Sequence, residues 1–423
     1  MKTKHINRRK FLNRAVTTGL GVGAASMIPF SAKSYSRIIG ANDRINMGVI
    51  GCGNMGNNHL NALVRMGPLN NNQVITVCDI YDKRLEKAAE MTESKPVKNY
   101  EKILENKDVD SVLIATPEHW HQKMVLDALD AEKHIYCEKP MTHSIEESKV
   151  ILERMKTAKV KLQVGVQGMS DDSYEKAFEY IQEGTLGDVV MAHIDYSRNY
   201  PGEDFWDYEI DPDAKPGVNL DWEAWLGPAP KHDWDPYRYF QWRKYWDYSG
   251  GIATDLFIHR ISRIIRSIGL KLPDTVVASG GLWHYENAKG EIPDTFNMMV
   301  DYPEGISVMV VSSLANDTPT KHMIRGNKAT LEFTREGFVI TPQGNFGGRG
   351  PKEEDLIKFR KRGAEDIVLH HKNLLDAIRE DVPLKCDHNM AYYGVVACMM
   401  GVQSFREKSY LKWDTNKNKV VKA

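Results

Sequence analysis

The pattern of hydrophobic and polar positions changes character along the chain. From Ile45 to about Val166, short unbroken apolar runs alternate with stretches whose apolar residues recur every three or four positions. The runs Ile45–Ile50, Val74–Val77, Ser111–Ala115, His134–Tyr136 and Leu162–Val166 predict strands buried on both faces. Between them, Asn57–Arg65, Arg84–Met91, Gln122–Asp130 and Ile145–Lys156 predict helices. The last opens on a capping box, Ser144 with Glu147. Alternation at this pace predicts a parallel, doubly wound sheet, with ligands beyond the carboxyl ends of its strands.

From about Asp188 the pattern becomes strand-rich. Val189–Asp195, Thr275–Gly280, Phe296–Tyr302, Ser307–Ser313 and Ala329–Phe333 predict a second, mainly antiparallel sheet. His370–Arg379 and Met390–Phe405 predict amphipathic helices near the C-terminus. The fold class expected is therefore α/β: a Rossmann domain over residues 42–166, an α+β domain over 167–365, and C-terminal helices over 366–423. About 385 residues beyond the N-terminal segment are too many for one core, which agrees with that division.

Residues 1–35 read as an export signal rather than part of the fold. Arg8 and Arg9 precede Lys10, Phe11 and Leu12, and a weakly apolar, Gly/Ala-rich stretch runs from Ala15 to Phe30. This is a twin-arginine pattern, too short and too rich in small residues to span a membrane, with cleavage expected among Ser31–Ser36. It places the expected destination in the periplasm, with no membrane attachment after signal removal. The route carries folded proteins, so a nucleotide cofactor would travel already loaded and tightly held.

Charge narrows the partners. The chain carries 56 Lys and Arg against 57 Asp and Glu, which gives no electrostatic case for nucleic acid or an anionic membrane. The five cysteines, Cys52, Cys78, Cys137, Cys386 and Cys398, show no C-x-x-C or metal-ligand spacing and are expected as reduced core thiols, with no metal site.

The first candidate chemistry lies where the first strand ends. Gly51, Gly53 and Gly56 form G-x-G-x-x-G, with Asn54 and Met55 inside it. Gly51 permits the tight turn, Gly53 lets backbone approach a pyrophosphate, and Gly56 lets helix pack on strand. The pattern alone should occur by chance in about one such sequence in six, so context decides. Asp79 closes the second strand at the position expected for the acid that binds an adenosine ribose and repels a 2′-phosphate, which points to NAD rather than NADP.

Two later strand ends carry Ala115-Thr116-Pro117-Glu118-His119-Trp120-His121 and Cys137-Glu138-Lys139-Pro140, and a further segment reads Gly250-Gly251-Ile252-Ala253-Thr254-Asp255-Leu256-Phe257-Ile258-His259. With the glycine turn and Asp79, these resemble the Gfo/Idh/MocA family of glucose-fructose oxidoreductases and inositol dehydrogenases over essentially the whole mature chain. The ammonium of Lys139 suits holding a substrate hydroxyl and stabilising a developing alkoxide. Asp255 and His259 are four residues apart, on one helix face. Two readings of that pair stay open: a histidine that takes the hydroxyl proton, or a local Asp–His hydrogen bond that satisfies a buried helix.

The resemblance implies that Asp255 and His259 face the nicotinamide, that Thr116, Pro117 and His119 border the cofactor, and that Glu138 borders it or supports the turn. It also implies that the second sheet is open and covers the cofactor, and a homo-oligomer, commonly a dimer or tetramer built through that sheet. The substrate set adds Gln167, Trp242 and Arg243. Residues 196–248 hold six of the nine tryptophans. Aromatic faces among polar groups suit a sugar, or form the core of a long loop or an oligomer contact.

The expected function is an NAD-dependent dehydrogenase moving a hydride between nicotinamide and a secondary hydroxyl of a sugar or glycoside, C3 among the candidates. The alternatives are a glycoside hydrolase acting by transient oxidation, elimination and re-reduction, and a sugar sensor without turnover. Retention of Lys139 speaks against the second, and of the Lys139, Asp255 and His259 set against the third.

Overall fold

The computed structural model describes residues 43–344 and 350–423, so the expected export signal lies outside the described residues. Six strands form the first sheet: β1 (Ile45–Ile50), β2 (Asn72–Cys78), β3 (Lys95–Val97), β4 (Ser111–Ile114), β5 (His134–Cys137) and β6 (Leu162–Val164). All pair in parallel, in the order β3-β2-β1-β4-β5-β6. That order reverses direction between β1 and β4, and the crevice above this point is where such sheets hold a dinucleotide. The connections are helices α1 (Asn54–Asn70), α2 (Asp82–Thr92), α3 (Glu101–Leu104), α4 (His121–Asp130) and α5 (Ile145–Met155). The capping box of α5 is formed: Ser144 Oγ accepts from Glu147 N at 3.2 Å, and Glu147 Oε2 accepts from Ser144 N at 3.0 Å. β3 gave no apolar run because Lys95 and Pro96 are exposed at the sheet edge, where a missing N–H is tolerated.

After helix α6 (Ser173–Gln182) the chain builds a ten-stranded sheet. Its strands are β7 (Val189–Asp195), β8 (Thr275–Gly281), β9 (Thr295–Tyr302), β10 (Ile306–Ser313), β11 (Met323–Gly326), β12 (Ala329–Thr334), β13 (Gly337–Pro342), β14 (Ile357–Arg360), β15 (Leu411–Asp414) and β16 (Lys419–Lys422). The order is β14-β13-β12-β11-β7-β10-β9-β8-β15-β16, antiparallel except where β7 meets β10. Alternation along β9 buries Phe296, Met298, Val300 and Tyr302 and leaves Asn297, Met299 and Asp301 half-buried on the other face. The chain end corrects the expectation of helices alone over 366–423. Leu411 and Trp413 are buried, and their strand pairs with β8 at the sheet edge.

Short helices α7 (Trp222–Leu226) and α8 (Pro236–Phe240) belong to the Trp-rich insertion; α9 (Ile258–Ile268), α10 (Ile367–Glu380) and α11 (His388–Glu407) follow. Leu374 and Leu375 of α10 join Leu60, Leu63 and Met66 of α1 in the core under the glycine turn. All five cysteines are free and buried. Among the described residues, no helix is long and apolar enough to cross a membrane.

Candidate active site

At the end of β1 the chain turns through Gly51 at φ +90°. A Cβ there would lie 2.6 Å from the Ala115 carbonyl, and one on Gly56 would overlap the Gly51 carbonyl. Gly53 differs: the nearest atom to an added Cβ is Arg84 Nη1, 3.5 Å away, so its backbone faces open space. No side chain caps α1, which leaves its first N–H groups and dipole for an anion. Asp79 ties this turn to the end of β2. Its Oδ2 accepts from Cys52 N at 2.8 Å and its Oδ1 from Tyr81 N at 2.9 Å, while burial, opposed by Arg84, raises its carboxyl above the ordinary value. An open glycine cradle, an uncapped helix end and an acid at the next strand fit a dinucleotide.

The cradle opens into a cavity of about 560 Å³. Gly51, Gly53, Asn54, Met55 and Asp79 line one part of it, with Thr116 and Pro117 from the turn after β4. Lys139, Asp255 and His259 line the same cavity, as do Glu138, Gln167, Trp242 and Arg243. Lys139 is brought there by the end of β5. Its Nζ donates to Asp255 Oδ1 at 2.7 Å and to the Asp255 carbonyl at 2.9 Å. Arg243 Nε donates to the same Oδ1 at 3.0 Å, and its guanidinium lies 4.4 Å over the Trp242 ring. Burial alone would raise the Asp255 carboxyl; Lys139 and Arg243 together hold it well below its usual range.

Asp255 lies in a π-helical turn, Ala253–Phe257, that runs directly into α9. Such turns are rare and concentrate at functional sites. The local Asp–His hydrogen bond left open above is not made. Two cations claim the carboxylate, and a neutral imidazole does not compete with them. His259 is 6% exposed and its Nδ1 is buried without a partner. Burial, then the Lys139 ammonium, push its pKa down to about 3, so the ring is neutral.

Two expected cofactor residues sit behind the wall. Gly56 packs α1 on β1 but does not line the cavity. His119 turns away: its Nε2 bonds the Trp225 carbonyl at 3.0 Å, and burial lowers its pKa to about 3. Glu138 does both things considered for it, lining the cavity and supporting the turn. Its Oε2 accepts from Lys139 N at 3.1 Å and its Oε1 bonds His59 Nε2 at 2.8 Å.

Sequence reasoning passed over Glu118. It is 1% exposed and accepts from Ser249 Oγ at 3.0 Å, Gly250 N at 3.1 Å and Thr254 Oγ1 at 2.8 Å. A carboxylate of the first sheet thus holds the start of the turn that carries Asp255. Burial raises its pKa to about 7 against the pull of Lys139. Its place in the Thr116-Pro117-Glu118 turn was the available signal. Tyr196, Arg198 and Tyr208, also on the cavity wall, carried none. Most rings of the insertion pack on one another: Trp222 stacks on Trp225 at 4.9 Å, within a cluster that includes Tyr81, Tyr239 and Tyr248. Trp242, expected at the substrate, lines the cavity, and so do Trp225, Tyr239 and Phe240. Among the described residues, no group of three or more His, Cys, Asp or Glu side chains is placed to hold a metal ion.

Comparison with known proteins agrees with this geometry. The profile for the NAD-binding Rossmann fold of the Gfo/Idh/MocA oxidoreductases matches residues 45–166, and profiles for the C-terminal alpha/beta domain match 175–277 and 230–413. An uncharacterized oxidoreductase of Bacillus subtilis, YrbE, is 28% identical over 330 residues, covering 74% of this chain and 84% of its own. The inositol 2-dehydrogenase of Salmonella typhimurium is 29% identical over 149 residues, covering 34% of this chain and 44% of its own. A levoglucosan dehydrogenase solved with NADH and levoglucosan superposes with a TM-score of 0.66 at 19% identity, covering 87% of this chain and 99% of that one.

Proposed function

The chain belongs to the Gfo/Idh/MocA oxidoreductase family and binds NAD, and from that premise we propose that it is an exported dehydrogenase acting on a secondary hydroxyl of a sugar or glycoside, C3 among the candidates. One observation carries this reading: Lys139, Asp255 and His259 line the same cavity as the dinucleotide cradle. The inositol 2-dehydrogenases and the levoglucosan dehydrogenase among its relatives support a polyhydroxylated ring as substrate.

When bound, the nicotinamide supplies the hydride acceptor and donor. Lys139 holds the reacting oxygen, because its ammonium is fixed by Asp255 yet lies on the cavity wall, and a cation there lowers the cost of alkoxide character. His259, neutral and unpartnered at Nδ1, accepts the hydroxyl proton in oxidation and returns it in reduction. Arg243 and Asp255 orient the lysine, and Trp242 offers an aromatic face to the C–H side of the ring. The half-exposed face of the ten-stranded sheet, where Met299 and Met309 pair, is where we place the contact of a homo-oligomer.

Single-turnover mixing of the NAD-loaded protein with a panel of glycosides tests the proposal. Reduced-nicotinamide absorbance should rise in proportion to enzyme with at least one of them. No reduction, with release of free sugar instead, would favour cleavage by transient oxidation. Binding without either would leave a sensor.

A further inference from the structure

Apart from Trp242 and Arg243, the proposed chemistry leaves the insertion between β7 and the Asp255 turn without a role. Its small aromatic core is stitched to the nucleotide-binding sheet on both sides of the glycine cradle. On the β2 side, Tyr81 bridges Leu220, Asp82 N donates to the Asn219 carbonyl at 2.9 Å, and Asp221 N donates to the Ile80 carbonyl at 3.1 Å. Asp211 Oδ2 accepts from Tyr81 Oη at 2.9 Å and from Lys83 Nζ at 2.6 Å. On the β4 side, Trp120 Nε1 donates to the Trp225 carbonyl at 2.8 Å, and a Cβ on Gly227 would overlap the Trp120 ring.

Between these anchors the insertion faces the cavity with Asp221, Ala224, Trp225, Tyr239 and Phe240. These residues share the cavity wall with Asp79, Ile80 and Arg84, the ribose-binding end. Arg84 links the two layers: its Nη1 donates to Tyr239 Oη at 3.1 Å, and its guanidinium lies 5.1 Å from the centre of that ring and 5.4 Å from that of Phe240. The insertion therefore roofs the end of the cavity opposite Lys139 and His259, with flat apolar surfaces and an arginine plane suited to a purine.

We infer that residues 209–240 are an adenosine clamp that makes NAD a resident group rather than an exchanging co-substrate. The clamp rests on the NAD reading of the cradle and adds a role for the insertion. Release would require the roof to part from β2 and from the turn after β4 together, whereas the sugar end is walled by other residues. Association of mutants at one site changes little, so the effect belongs in the dissociation rate.

The test uses the full mature protein with isotopically labelled NAD. The wild-type chain should retain about one NAD through gel filtration, measured in the supernatant after denaturation, and exchange it over hours. Asp211→Ala removes an anchor that does not line the cavity, and should speed exchange by roughly tenfold while the circular-dichroism spectrum is unchanged. Ala224→Arg fills the roof and should lower nucleotide content, whereas Trp242→Ala, at the sugar end, should not. Wild-type exchange within seconds, or an Asp211→Ala rate equal to wild type, would overturn the clamp and leave NAD binding standing. Absence of any nucleotide binding would sink both readings.

Discussion

Replacing Asp255 with asparagine probes the centre of the site with least change of shape. The carboxylate meets Lys139 Nζ at 2.7 Å and Arg243 Nε at 3.0 Å, and the side chains of Asp255, Lys139 and Arg243 are 11%, 11% and 20% exposed. At an effective dielectric near 20, each contact is worth about 6 kcal/mol of Coulomb attraction, most of it offset by desolvation. Removing one partner of a buried pair costs about 3–5 kcal/mol, because the remaining charge stays buried. Here the pair borders an open cavity, so the lower figure, about 3 kcal/mol, applies. For a folded unit of about 380 residues, at about 2.1 cal/mol/K per residue, that lowers the melting temperature by about 4 °C. Turnover should fall by roughly 10²–10⁴, since Lys139 loses the group that aims it. Bound NAD should be unchanged, because the glycine turn and Asp79 are untouched. Thermal unfolding, single-turnover reduction and nucleotide content on one preparation separate these effects. A double-mutant cycle with Lys139→Met should return a coupling of about 2–3 kcal/mol. Additive energies, or an Asp255→Asn enzyme within about threefold of wild type, would refute the coupled site.

Three other outcomes follow from the same structure. Glu118 is raised to about 7 in the fold from an ordinary 4.5, so its own contribution to stability is complete below 4.5 and fades as pH rises through 7; Glu118→Gln removes that contribution, and its urea midpoint should rise more between pH 5 and pH 7 than that of the wild type. His119 and His259 are lowered to about 3 and His370 to about 4 by burial. They remain neutral when folded and gain protons on unfolding, so their contribution is complete above 6.5 and is lost as pH falls toward 4, opposite in sign to that of Glu118; equal urea midpoints at pH 7 and pH 5 in Glu118→Gln would contradict this. On the open face of the second sheet, Met309 pairs across to Met299 and His193; Met309→Arg should reduce the mass seen by light scattering to that of one chain, and an unchanged oligomer would move the contact elsewhere.

How much of the fold is legible along the chain follows the reach of the forces involved. The glycine turn is legible because its requirements are local and steric: Gly51 needs φ +90° and Gly56 has no room for a Cβ. Strands β1, β2, β4 and β5 announce themselves because both of their faces are buried. The edges escape for the converse reason, since strands such as Lys95–Val97 and Lys419–Lys422 bury little. Lys139 and Asp255 are 116 positions apart, and no local pattern joins them. Resemblance to a family singles them out, and even that does not reveal their contact with Arg243.

The insertion shows the limit most sharply. Trp225 and Trp242 lie in the same run of rings and polar residues, and nothing in their neighbours along the chain distinguishes them. One stacks on Trp222, gives its carbonyl to Trp120 and His119 and faces the nucleotide end of the cavity; the other lies beneath Arg243 beside Asp255. Composition therefore identifies a surface able to hold flat, partly apolar rings without saying which ring. The deciding contacts, Asp211 to Tyr81 and Lys83, Tyr239 to Arg84, and Trp225 to Trp120, are long-range and polar. They carry no periodicity, so composition leaves sugar contact, loop core and oligomer contact open for every ring of the insertion. The fold divides it: Trp225, Tyr239 and Phe240 line the cavity with Arg84, Trp222 and Tyr248 pack in the insertion's own core, and Trp242 and Arg243 lie beside Asp255.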